Sequence, residues 1–202
     1  MKKIDYKKEL MELYRPSSKS VSSVDVPPLR YLMIDGAGAP ESKEFEQAME
    51  ALYPLAYTLK FMSKQSDAGI DFVVMPLEGL WWADDMDAYL ERRLDEWRWT
   101  LMIMQPDCVS EDMVAAALER VRKKNNPAAL DRVRFEVYEE GECAQIMHLG
   151  PYSEEGPNVE RLHAFIAEQG KERALKHHEI YLSDPRRAAP EKLRTVLRQP
   201  MR

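Results

Sequence analysis

Two short stretches hold the side chains most able to do chemistry. Residues 76–82 read PLEGLWW and residues 177–185 read HHEIYLSDP. Glu78 stands close to Trp81 and Trp82, and Glu179 lies two residues before Tyr181, on segments that otherwise look like buried strands. A carboxylate is costly to bury among rings without a partner, so both stretches point to a pocket. Ring faces and a negative charge together attract a lipophilic cation. The same acid, if partial burial raises its pKa, can polarise a water or protonate a leaving group. Tyr152, in a turn of the second half, adds another ring to this set.

Each residue also has a plainer reading. A tryptophan pair serves a core or an interface as readily as a pocket. Trp97 and Trp99 alternate along one strand and are read as packing, as is the methionine-rich LMIMQ. Glu179 is harder to dismiss, because alternation leaves it only a solvent face or a cleft face, and Tyr181 must share that face. Asp184, in the DPRR turn, is expected to accept turn hydrogen bonds.

Other chemistries find little support. GAGAP lacks the lysine and spacing of a phosphate loop, and no serine sits in a nucleophile elbow. Cys143 has only His148 as a conceivable catalytic neighbour. Cys108 and Cys143 form no metal or redox spacing, so free thiols are expected. His177 and His178 are adjacent and would point to opposite faces of a strand, which prevents them sharing a metal. No cofactor is called for.

Several elements must position the acids. Residues 29–38 read as a strand ended by Gly36 and Gly38, and an apolar face at helical spacing runs from Glu41 to Ser63. Pro54 inside that run is expected to kink or split the helix. A strand leads into PLEGLWW, an acidic connector follows (residues 83–96), and WRWTLMIMQP is the next strand. Ser110 caps a helix with acids in its first turn and bases in its last. The second half repeats the grammar: two strands turning near Gly141, a helix from about Pro157 to Gln169, the strand HEIYLS, and KLRTVLRQP. The order strand, glycine, proline, acids, helix occurs in both halves. It predicts an α+β protein of two pseudo-symmetric strand–helix–strand–strand modules, with antiparallel sheets and a cleft between them.

Composition bounds the function. The chain has 202 residues, 45% hydrophobic and 32% charged, with a net charge of −6. That balance gives no electrostatic support to nucleic-acid binding. No apolar run approaches the roughly 20 residues a membrane span needs, and no secretory segment follows the first methionine, so a cytoplasmic location is expected.

The stretches MPLEGLWW, WTLMIMQPD, CAQIMHLGPYSEE and HHEIYLSDPRRAAPEKLRTVLRQP resemble the GyrI-like (gyrase-inhibitor-like) small-molecule-binding family. The resemblance covers about residues 29–202, in halves of about 29–126 and 127–202, with residues 1–28 as an amino-terminal extension. It implies paired modules enclosing a hydrophobic cleft. Members include drug-binding domains of multidrug-responsive regulators, which hold lipophilic cations against a buried acid. Others are stand-alone proteins that hydrolyse the cyclopropane ring of DNA-alkylating natural products; with no helix-turn-helix ahead of the module, this chain resembles those. By position, Glu179 falls where the family places its cleft acid, Tyr181 and Tyr152 are cleft aromatics, and Glu78 and Trp82 face them from the first half. Which of Trp81 and Trp82 points inward stays open. The implied function is binding of lipophilic, planar or cationic small molecules, with Glu179, helped by Glu78 and by Tyr181 or Tyr152, activating water as a cyclopropyl hydrolase. The alternative is a non-enzymatic sensor or sequestering protein, or an inhibitor that binds a partner protein.

Overall fold

The computed structural model describes residues 2–84 and 93–202, so most of the acidic connector lies outside the described residues. In chain order the elements begin with β1 (Lys2–Ile4), α1 (Tyr6–Glu9), α2 (Met11–Tyr14), β2 (Ser22–Val26), β3 (Leu29–Ala37), α3 (Lys43–Gln65), β4 (Ile70–Phe72) and β5 (Glu78–Trp82). They continue with β6 (Arg98–Gln105), α4 (Glu111–Lys124), β7 (Arg134–Tyr138), β8 (Gly141–Leu149), α5 (Gly156–Glu168), β9 (His177–Tyr181) and β10 (Arg194–Pro200). The protein is α+β, and its principal strand pairings are antiparallel. No helix among the described residues is long and apolar enough to cross a membrane.

Contacts group the chain into two compact units. The first contains Met1–Tyr6, Leu29–Met75 and Trp82–Tyr138. Here β3 pairs with β6 on one side and β7 on the other, with Met33 opposite Met102 and Leu32 opposite Phe135. Ser42 caps α3 by accepting from Phe45 N, and Ala48, Ala51, Leu52, Leu55, Ala56 and Leu59 make its buried face. Pro54 does not split this helix. Proline loses the bond its own nitrogen would donate and crowds the carbonyl four residues back, but the buried face that continues through Leu52, Leu55 and Leu59 carries the helix across it. Ser110 caps α4 as expected, accepting from Met113 N. Trp99 is fully buried, edge-on to Phe45 with centroids 5.3 Å apart. A Cβ on Gly36 would come within 2.1 Å of the Trp99 ring, so the indole needs a glycine there.

The second unit contains Lys7–Pro28, Pro76–Trp81 and Glu139–Arg202. Its strands follow the order β2, β8, β10, β9, β5. In β8–α5–β9–β10 the expected strand–helix–strand–strand order is present. Helix α5 lays Val159, Leu162 and Ile166 on Ala144, Ile146, Leu197 and Met201. Each leucine or isoleucine among them contributes roughly 1.5–3 kcal/mol when fully buried. Residues 22–26, within the amino-terminal extension, form a strand, β2, with Val24 opposite Cys143.

Candidate functional site

Register on the β5–β9 pair decides which candidate residues meet. Gly79 lies opposite Glu179 and Trp81 opposite His177, while Glu78 faces Ile180 and Leu80 faces His178. Residues opposite one another share a face and neighbours alternate. Trp81, His177, Glu179 and Tyr181 therefore stand on one face of the strand pair, and Glu78 and His178 on the other.

On the first face the polar groups form a directed chain. Trp81 Nε1 donates to Tyr181 Oη at 2.9 Å, and Tyr181 Oη donates to Glu179 Oε2 at 2.8 Å. Burial, and next the negative charge of Glu179, push the Tyr181 phenol well above its ordinary pKa, so it holds its proton as the donor. The Glu179 side chain is 12% exposed, close to the surface yet largely removed from water. Its Oε1 lies 3.7 Å from His177 Nε2. Burial drives His177 down to about 3, so this neighbour is a neutral ring and not a counter-cation. Tyr152 sets its ring edge-on to Tyr181, with centroids 5.7 Å apart and an interplanar angle of 80°. Gly79 gives the chain its room: a Cβ there would meet Trp81 Nε1 at 2.8 Å and Tyr181 Oη at 3.0 Å.

The turn carrying Tyr152 is tied down by His148, both of whose ring nitrogens are taken up there. Asn158 Nδ2 donates to His148 Nδ1 at 3.1 Å, which leaves the ring proton on Nε2 to be donated to Pro151 O at 3.0 Å. Burial pushes the Cys143 thiol up, against any nucleophilic role.

Glu78 does not join Glu179, contrary to its expected helping role. It is fully buried on the opposite face, where Tyr14 Oη donates to its Oε1 at 3.0 Å and His178 Nε2 lies 3.0 Å from its Oε2. The physical reason is the pleat: one residue separates Glu78 from Gly79, the position opposite Glu179, and one residue reverses the face. Trp82, by the same alternation, turns away from the face that Trp81 shares with Glu179. Trp81 is the tryptophan that lies on the Glu179 face.

Glu78 belongs instead to a buried polar network. His178 Nδ1 is 2.9 Å from both oxygens of Glu140, and Arg198 donates to Glu140 Oε2 at 3.0 Å. Arg198 also donates to Leu13 O at 2.7 Å, and Gln145 Nε2 donates to Glu12 O at 2.7 Å. Burial alone would lower His178, but Glu140 and then Glu78 outweigh it and raise the imidazole to about 9. Burial would raise Glu140, but His178 and Arg198 bring it to about 2. Burial, with Glu78 next to it, pushes Tyr14 well above its ordinary range. Tyr14, Glu140 and Arg198 carry no local signal in the sequence, because their partners lie on distant segments. No group of three or more potential metal-binding side chains occurs among the described residues.

Fold and site thus define an α+β small-molecule-binding domain that holds an acid among aromatic rings. The chain belongs to the GyrI-like small molecule binding domain family, whose model matches residues 19–202. Among solved structures it is similar to an uncharacterized conserved protein from Listeria innocua, with 43% identity and a TM-score of 0.89 over 98% of this chain and all (100%) of the other. It is also similar to a hydrolase from Listeria innocua, with 42% identity, a TM-score of 0.86 and the same coverage, 98% and 100%. The EcmrR C-terminal domain shares the fold at 9% identity and a TM-score of 0.57, over 91% of this chain and 97% of that one. No curated protein matches the chain.

Proposed function

We propose that this protein binds lipophilic, planar or cationic small molecules against Glu179 and hydrolyses the cyclopropane ring of DNA-alkylating natural products, as a detoxifying enzyme. The observation that carries the reading is the donor chain Trp81–Tyr181–Glu179, which fixes one carboxylate oxygen among rings. The hydrolase from Listeria innocua, similar over nearly the whole length at 42% identity, supports the enzymatic half.

In this mechanism a flat ligand rests against Tyr152 and Trp81, its positive or electron-poor face toward Glu179. The carboxylate takes a proton from a water as the water oxygen bonds to a ring carbon. The strained carbon–carbon bond breaks, and its electron pair passes into the conjugated carbonyl that activates the ring. That oxygen is then protonated. The product is the substrate plus one water, with no change of oxidation state overall and no cofactor. Tyr181 acts as a positioning residue: its proton is committed to Glu179, so it aims the base and does not reach the developing charge.

The test is incubation of a cyclopropane-bearing alkylator with wild-type protein and with Glu179→Gln, followed by mass spectrometry. Wild type should yield the adduct with one water, and Glu179→Gln should be slower by about 100- to 10,000-fold, the usual weight of a general base. Unchanged substrate at high wild-type concentration removes the hydrolytic claim. Dye binding lost in Glu179→Gln without any turnover would leave a sequestering or sensing protein.

A further inference from the structure

On the opposite side of β8 and β10 from α5, the second unit has a feature that the acid-and-aromatic site does not use. A hollow of about 530 Å³ is lined by Arg15, Pro16, Ser18, Met147, Leu149 and Arg194. Its floor follows from register: Arg194 lies opposite Leu149 and Val196 opposite Met147, so Arg194, Leu149 and Met147 share a face. Its rim is the segment after α2, held along β8 by Met147 N donating to Ser17 O at 2.9 Å.

Charge makes this hollow unusual. The protein carries more acids than bases, 35 against 29. Several of its other surface arginines pair with them: Arg98 with Asp84, Arg122 with Asp131, Arg132 with Glu44, Arg134 with Asp35, and Arg186 with Asp184. Arg15 and Arg194 are exposed, and among the described residues neither guanidinium has a hydrogen-bond or ion-pair partner. No acid lines the hollow. Beside these two cations Leu149 leaves 56% of its surface in water at a strand end.

We propose that this hollow is a second ligand site, for a small organic anion: a carboxylate, sulfonate or phosphate monoester attached to a compact apolar body. A guanidinium presents a planar fork of donors that matches such oxyanions, and two of them select for charge. Met147, Leu149 and Pro16 offer the apolar body a surface, and methionine adapts to varied shapes. The volume is that of a small-molecule site. The site selects the opposite charge from the one Glu179 attracts and stands independently of the hydrolytic reading.

The test is a fluorescence titration of the full chain with anilinonaphthalene sulfonate, alongside its uncharged relative phenylnaphthylamine, with the methionine methyl groups isotope-labelled for NMR. The sulfonate should bind saturably and shift the Met147 methyl signal. Arg15→Gln or Arg194→Gln should each weaken it about tenfold, the double variant more, with the uncharged probe unaffected. Both arginines are exposed, so the variants should melt as wild type does, and Glu179→Gln should leave sulfonate binding intact. Non-saturable binding, an unmoved Met147 signal, or affinity indifferent to both arginines would overturn the proposal. So would arginine-dependent sedimentation with phosphatidylglycerol vesicles in the absence of free-probe binding, since that would mark a lipid-surface patch.

Discussion

The buried network around His178 makes the dependence of stability on pH calculable. An ordinary histidine titrates near 6.5, and this one is held at about 9. A raised folded-state value means that the stabilisation is complete below pH 6.5 and is lost as pH climbs through 9. The gap corresponds to roughly 3 kcal/mol, a large part of the 5–15 kcal/mol typical of a folded domain. At the acid end Glu140, normally near 4.5 and here about 2, contributes above 4.5 and loses its contribution as pH falls through 2. The two shifts describe one ion pair from its two ends and are not added. Urea unfolding followed by tryptophan fluorescence should therefore give a maximum between about pH 4.5 and 6.5 from this pair, with a decline toward pH 9 or above. Tyr14, pushed above its ordinary range, stays protonated throughout that window. In His178→Gln the alkaline decline should flatten, and the variant should lose roughly 3–5 kcal/mol at pH 6, as expected when one partner of a buried charge pair is removed. Wild-type stability that is level from pH 6.5 to 9.5, or a decline that survives unchanged in His178→Gln, would refute the assignment.

Three further outcomes separate the two faces of β5–β9. Tyr181→Phe removes the donor to Glu179 and the acceptor for Trp81 Nε1; turnover should fall about tenfold or more, with stability lower by roughly 1–3 kcal/mol in urea. Gly79→Ala places a methyl group 2.8 Å from Trp81 Nε1; quenching of tryptophan fluorescence by a lipophilic cation should weaken, at a stability cost of about 1–3 kcal/mol. Glu78→Gln should lower the melting temperature without a direct loss of ligand affinity per folded molecule, and Glu179→Gln should do the reverse, a contrast read by pairing calorimetry with dye titration.

The sequence made Glu179 and Tyr181 legible because alternation over two residues needs no knowledge of partners. Glu78 shows where that logic stops. Its closeness to Trp81 and Trp82 suggested a shared pocket, yet its face is fixed by pairing with β9, about a hundred residues on, and a single step of register reverses it. For the same reason only the register could choose Trp81 over Trp82. The α+β class and the order β8–α5–β9–β10 were readable from periodicity. Pro54 warned of a break that α3 does not have, because its buried face continues through Leu52, Leu55 and Leu59 on both sides. Residues 7–28, within the stretch 1–28 read as an amino-terminal extension, supply Tyr14 and the carbonyls of Glu12 and Leu13 to polar groups from distant strands. Nothing local in those residues announces such partners.

The bond from Arg198 to Leu13 O joins positions 185 residues apart. Until residue 198 has left the ribosome, α2 and β2 have no completed surface to settle on, and Glu140 lacks one of its cations. The second unit must therefore assemble after synthesis of the intervening first unit, closing a very long loop, and such closures slow folding. A circular permutant that begins at Leu29 and runs from Arg202 through a linker into residues 1–28 would bring these segments closer in the chain and should speed refolding.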